Sequence, residues 1–240
     1  MEKFRGIIIN LSKYKNYDVV INILTNDGLL SVIGRGSFRN SSKTNFIIHP
    51  FLYGEFEVYK GPVGGYKLKD CKVIEFFDKY FETYEDHVFA QFITELAFKM
   101  IVENIDLSGY FDDLFAFLNK YKVSENKYSL ICYYFAQILK RNGVFLNLDN
   151  CVDCGNNTNI VGIDFEKGGA VCTSHFLTTT KMMNEKEFSL YVSLFHYDLA
   201  KIDCLVLNKD EFKGIINNLS FILEKNFNLN IKTISLINTI

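Results

Sequence analysis

Two short spacings carry the most definite chemistry in this chain: Cys151-x2-Cys154 and, after seventeen further residues, Cys172-x2-His175. Three thiols and an imidazole in paired turns are a donor set that Zn²⁺ favours. Each x2 turn lets two side chains reach one ion, and four such donors complete a tetrahedron. Gly155 follows the first pair, and Gly168 and Gly169 precede the second, at places where the backbone must turn tightly or enter the left-handed region. A catalytic zinc keeps one position open for water, whereas four protein donors close the coordination shell, so one structural ion is expected. Paired cysteines can also be disulfides, redox dithiols or unconnected buried thiols. Disulfides need an oxidising compartment. The opening MEKFRGIIINLSKYK has neither the apolar stretch nor the small-residue cleavage site of a signal peptide, and the expectation is a cytosolic protein. Cys71, Cys132 and Cys204 stand alone in apolar segments and are expected in the core.

A second constellation lies in residues 34–43, a Gly- and Ser-rich stretch that carries Arg35, Phe38, Arg39 and Lys43. Its composition suits a polyanion. Arg and Lys contact phosphates, Gly and Ser let backbone N–H groups approach them, and Phe38 can stack on an unpaired base. Lys13 and Lys15 in a loop after the first strand, and Lys67 and Lys69 on one face of the fifth, extend the cationic set. The whole chain has a formal net charge of only −2. Residues 1–80, however, hold twelve Lys/Arg against eight Asp/Glu, so the basic excess is amino-terminal. These residues are expected to bind nucleic acid, with an affinity that falls steeply with salt because neutralised phosphates release counterions.

Catalytic patterns are absent from the sequence. It has no phosphate-binding Walker loop, no G-x-G-x-x-G, no H-E-x-x-H and no G-x-S-x-G. The H-x-E and P-C-x-x-C of the zinc deaminases are also missing. Asp112 and Asp113 are expected in the first turn of a helix, where carboxylates favour the positive end of the dipole. His49, His87 and His196 have no matching nucleophile nearby in sequence. No enzymatic activity is expected. The competing non-enzymatic reading is a scaffold whose amino-terminal part binds protein rather than DNA.

Those residues need elements to position them. Residues 6–11, 18–25, 29–34, 52–59 and 66–74 alternate apolar and polar positions and predict five strands, with Asn26-Asp27-Gly28 as a hairpin turn. Five short strands in residues 1–80 match the size and rhythm of an OB-fold β-barrel, and other small barrels fit the same pattern. From residue 81 the period becomes helical. Phe89, Ile93, Leu96 and Met100 form one stripe; Tyr110, Leu114, Phe117 and Tyr121 form a second behind a Ser108 cap; Tyr128, Ile131, Phe135 and Ile138 form a third that ends at Gly143. Asn184 with Glu187 and Asn208 with Glu211 predict capping boxes for two more helices. Residues 81–240 are therefore expected to form a helical domain, with a zinc module at about 147–177 inserted between its third and fourth helices. No run of eighteen apolar residues exists, which excludes a transmembrane helix.

Several of these segments together resemble the RecO family of bacterial recombination-mediator and DNA-repair proteins. The run R-G-I-I-I-N-L-S-K-Y-K-N-Y-D-V-V-I-N-I-L-T-N-D-G-L-L-S-V-I-G-R-G is similar to the family's first three strands, and His49-Pro50-Phe51 before Leu52-Tyr53-Gly54-Glu55-Phe56 is similar to the approach to its fourth. C-V-D-C-G and G-G-A-V-C-T-S-H resemble its zinc module, with His175 where many zinc-bearing relatives use Cys, and the loop after Gly34 carries fewer arginines than the family's. The resemblance implies an OB-fold that binds single- and double-stranded DNA, strand annealing, and help in loading recombinase onto DNA coated by single-stranded DNA-binding protein (SSB). It further implies RecR and the acidic-hydrophobic C-terminal tail of SSB as partners, no membrane association, and a place in the bacterial cytoplasm at the nucleoid.

Overall fold

The computed structural model describes residues 1–39, 41–62, 64–103, 107–178 and 180–240. These form two compact units, Met1–Val123 and Ser124–Ile240. In the first, the alternating segments become β1 (Glu2–Tyr14), β2 (Asp18–Thr25), β3 (Gly28–Gly34), β4 (Leu52–Lys60) and β5 (Tyr66–Phe76). They close into an OB-like barrel in the order β1-β2-β3-β5-β4, with β1 pairing back onto β4. All pairings are antiparallel except a short parallel join, Val32↔Tyr66 and Ile33↔Lys67. Ile8, Val19, Ile21, Ile23, Val32, Leu52, Phe56 and Val58 fill the interior with no solvent exposure, which is the inward half of the period-two pattern.

β1 is longer than the apolar segment at 6–11 because its two ends serve different neighbours. Residues 2–7 pair with β4, and from Ile7 to Tyr14 the strand pairs with β2, with an irregularity between Ile8 and Asn10. The amino-terminal end still alternates in exposure, with Phe4 packed against the core, while residues 12–14 are exposed and held by their pairing with β2. The hairpin at Asn26-Asp27-Gly28 forms as expected: Gly28 takes φ 121°, and the Thr25 hydroxyl donates to the Gly28 carbonyl at 2.9 Å. Gly6 and Gly54 face each other across β1 and β4. A Cβ at Gly6 would lie 2.5 Å from both Ile23 Cγ2 and the Leu24 carbonyl oxygen, and the backbone oxygen cannot move aside. Gly6→Ala is expected to destabilise the barrel by about 1–3 kcal/mol. The check is a lowered urea midpoint at unchanged slope; an unchanged midpoint would contradict the close strand approach.

β5 ends at Phe76 and α1 (Tyr84–Glu103) begins after a short 3₁₀ turn, so the change of period near residue 81 coincides with the change from strand to helix. Packing groups α1 and α2 (Tyr110–Tyr121) with the barrel in the first unit. Aromatic contacts make that join: Phe81 stacks on Tyr121 at 4.3 Å, and Tyr53 and Phe77 meet Phe115 at 5.0 and 6.0 Å. The cap of α2 is Gly109, at φ 75°, rather than Ser108. The left-handed backbone needed to enter this helix selects glycine. Asp112 and Asp113 lie in its first turn as anticipated.

The second unit contains α3 (Lys127–Arg141), β6 (Ile160–Asp164), β7 (Gly169–Cys172), β8 (Lys181–Met182), α4 (Glu185–His196), α5 (Lys209–Phe227) and α6 (Ile234–Ile237). Both capping boxes are complete: the Asn184 and Asn208 side chains accept from the backbone of Glu187 and Glu211, whose carboxylates accept in return. The segment between α3 and α4 forms a small sheet, order β7-β6-β8, that alternation over such short strands does not reveal. Ile163, Ala170 and Val171 are fully buried in it, so the module has a modest apolar centre of its own. Cys71 and Cys132 are buried as expected, but Cys204 is exposed. It ends a 3₁₀ turn (Leu199–Cys204), and Ile202 and Leu205 take the inward positions instead. Among the described residues, no helix is long and apolar enough to cross a membrane.

Candidate metal centre and nucleic-acid interface

Cys151, Cys154, Cys172 and His175 converge so that their ligand atoms all lie within 4.8 Å of one another. The first pair sits on a turn in which Gly155, at φ 75°, donates its N–H to the Cys151 carbonyl at 2.8 Å. The second pair sits at the end of β7 and on the 3₁₀ turn Thr173–His175 that follows it. Gly168, at φ 78°, turns the chain between β6 and β7, while Gly169 serves close approach: a Cβ there would lie 2.3 Å from the Asn147 carbonyl oxygen.

Cys172 Sγ is 3.3 Å from His175 Nδ1, Cys151 Sγ is 3.9 Å from the same nitrogen, and the Cys154 and Cys172 sulfurs are 3.9 Å apart. Zinc–sulfur bonds of about 2.3 Å in a tetrahedron separate sulfurs by about 3.8 Å, so these donors fit one such ion with little movement. The electrostatics divide the set: Cys151 and Cys172 are the readily ionised thiols, while Cys154 is raised, because the lowering by the backbone N–H of Asn156 is outweighed by burial and the neighbouring Cys151 and Cys172. Burial would raise the Cys151 thiol, but backbone hydrogen bonds at Cys172, Asp153 and Cys154 bring it down to about 6. His175 lowers the Cys172 thiol, and Cys172 in turn raises the imidazole. Four soft donors around one point can hold a metal ion.

In the barrel unit, the turn between β1 and β2 and the connection from β3 to β4 are tied together. The Gly36 N–H donates to Asp18 Oδ1 at 2.8 Å, and the Phe38 N–H donates to the Tyr17 carbonyl at 3.1 Å. Ser37 is fully buried, with its hydroxyl 2.8 Å from that of Thr44, and Asn45 Nδ2 donates to its carbonyl at 3.1 Å. This anchoring fixes the loop while Arg35, Phe38, Arg39 and Lys43 point to solvent. Asn40, in the same stretch, lies outside the described residues. Lys13 and Lys15 are also exposed, and among the described residues none of these five cations makes an ion pair.

Lys67 and Lys69 differ from this group. Lys67 is half-buried beside Ile33 in the β3–β5 join. Lys69 Nζ is 3.0 Å from Glu57 Oε1, and Glu55 on the same strand faces Lys3 and Arg5 at 3.4 and 3.6 Å. The β1–β4–β5 exterior is therefore a mixed-charge surface, and the five cations above are placed with Lys13 at the end of β1 rather than in a loop, Lys15 in the β1–β2 turn, and Arg35, Arg39 and Lys43 in the β3–β4 connection. Tyr14, Tyr17 and Phe46 are exposed on these same segments at 42%, 49% and 39%. The two tyrosines leave one trace in the sequence, the aromatic, lysine-bearing turn Tyr14-Lys15-Asn16-Tyr17, and Phe46 leaves none. His49 Nδ1 lies 2.7 Å from Asp78 Oδ2 in an exposed pair.

Comparison with known proteins adds the following. Residues 1–77 match the family model "Recombination protein O N terminal", and residues 82–227 match "Recombination protein O C terminal". A DNA repair protein RecO of Lactobacillus helveticus is 24% identical over 236 residues, covering 97% of this chain and 94% of the relative. Its counterpart in Clostridium perfringens is 26% identical over 238 residues, covering 97% and 95%. That of Clostridium acetobutylicum is 29% identical over 175 residues, covering 71% and 70%.

Proposed function

Since this chain belongs to the RecO family, whose named members are DNA repair proteins, we propose that it is a non-enzymatic mediator of DNA repair and homologous recombination. Its barrel, at residues 1–80, binds single- and double-stranded DNA through Lys13, Lys15, Arg35, Phe38, Arg39 and Lys43, with Lys67 and Lys69 at the margin. The observation that carries this reading is the group of five exposed cations, without ion-pair partners among the described residues, on two segments tied by hydrogen bonds from the Gly36 and Phe38 N–H groups. A scaffold that bound neutral protein surface would have no need to keep them uncompensated.

Annealing follows from the same charge. Two strands held on one cationic surface repel each other less, and complementary pairing supplies the free energy. The helical domain, at 81–240, recruits RecR and the SSB tail and so helps load recombinase onto SSB-coated DNA, a role that rests on family membership. The metal is zinc, one structural ion held by Cys151, Cys154, Cys172 and His175, and the protein works in the bacterial cytoplasm.

Titration of labelled oligonucleotide with the full chain at low and high salt tests the binding reading. Saturable binding is expected, with log K falling by roughly 0.7 per phosphate contact for each tenfold rise in salt on single strands. Absent or salt-independent binding would favour the protein-binding scaffold.

A further inference from the structure

Tyr14 and Tyr17 bracket the tip of the β1–β2 turn, 42% and 49% exposed. Neither ring belongs to the barrel core, and among the described residues neither hydroxyl makes a hydrogen bond. Neither burial in the core nor a hydroxyl hydrogen bond accounts for these rings. Each ring instead carries a cation over one face: Lys15 Nζ lies 5.3 Å from the Tyr14 centroid, and Arg39 Cζ lies 4.9 Å from that of Tyr17. Phe38, 37% exposed, adjoins Tyr17 through its backbone N–H, which donates to the Tyr17 carbonyl. Rings and cations thus alternate along two connected segments.

We infer that Tyr14 and Tyr17 are the strand-selecting residues of this surface, stacking on unpaired bases while the cations beside them hold the adjoining phosphates. The inference deepens the DNA-binding reading and rests on it. A cation held over one face of a ring steadies it, so a stacked base would use the opposite face. A base in a single strand offers its π-face to such a ring whatever its identity, whereas in a duplex both faces are covered by neighbouring pairs. The phosphates of both forms remain available to Lys13, Lys15, Arg35, Arg39 and Lys43. The cations therefore set affinity for either form, and the tyrosines add affinity for single strands alone.

The test uses the full chain and three labelled probes of one length: oligothymidylate, a strand of abasic sites, and a duplex. The protein is expected to prefer oligothymidylate over the abasic strand. Tyr14→Leu with Tyr17→Leu is expected to lower oligothymidylate affinity about tenfold or more, the effect of losing two stacked rings. Binding to the abasic strand and the duplex is expected to stay within about twofold, with the salt slope unchanged, because phosphate contacts are untouched. Tyr14→Phe with Tyr17→Phe is expected to bind as the native chain does. Equal losses on all three probes, no loss on any, or a Phe variant as weak as the Leu variant would overturn the assignment and leave the DNA-binding reading standing. A native protein that binds none of the probes would overturn both.

Discussion

Removing the metal with a chelator, or replacing Cys151 by serine, is expected to release one zinc per chain and lower the thermal midpoint of the helical unit by more than about 10 °C. The reason is the balance inside the module. Residues 147–182 form only short strands, β8 being two residues long, and their fully buried apolar side chains are few. A structural zinc supplies on the order of 10 kcal/mol to small zinc-binding peptides, similar to the roughly 5–15 kcal/mol that holds an entire domain. Removing one thiolate also leaves three donors, Cys154, Cys172 and His175, too few to close a tetrahedral shell around the ion. Elemental analysis beside a thermal scan measures both effects, and hydrogen exchange at Gly162–Val171, paired across β6 and β7, localises them. Stoichiometric zinc retained by the Cys151→Ser chain, or a midpoint that does not move, would refute the structural role.

Combined replacement of Arg35, Arg39 and Lys43 by alanine is expected to weaken single-strand binding on the order of a hundredfold at about 50 mM salt, and to reduce the slope of log K against log salt by about 2. All three side chains are exposed, and none has an ion-pair partner among the described residues, so their removal leaves no carboxylate stranded and folding is expected to be unaffected. Lys69→Ala is the informative comparison. That lysine is already matched by Glu57 at 3.0 Å. A lysine already engaged by a carboxylate is less available to a phosphate, so a smaller change in DNA affinity than from a loop cation is expected. Equal effects from Lys69 and from the loop cations would show that net charge, rather than the anchored loop, governs binding. An unchanged slope in the triple variant would remove the loop from the interface.

Local rules decided a large part of this molecule. The Cys-x2-Cys and Cys-x2-His pairs had to form ligand-bearing turns because each is complete within four residues, and the glycines around them permit the backbone required, Gly155 and Gly168 at positive φ. The same holds for the Asn184 and Asn208 capping boxes and for the hairpin at Asn26-Asp27-Gly28. Alternation identified the five barrel strands because an inward face must be apolar wherever they pair. Tertiary structure alone decided which strands meet. Closure of β1 on β4 and the parallel β3–β5 join link residues far apart in the chain, and nothing within either strand specifies its partner. It likewise decided that Lys69 is neutralised by Glu57, that Cys204 faces solvent, and that the Tyr14–Tyr17 turn lies against the loop bearing Arg39. The physical reason is range: caps and ligand turns are settled by bonds between near neighbours, while charge pairing and exposure depend on what the closed barrel brings alongside.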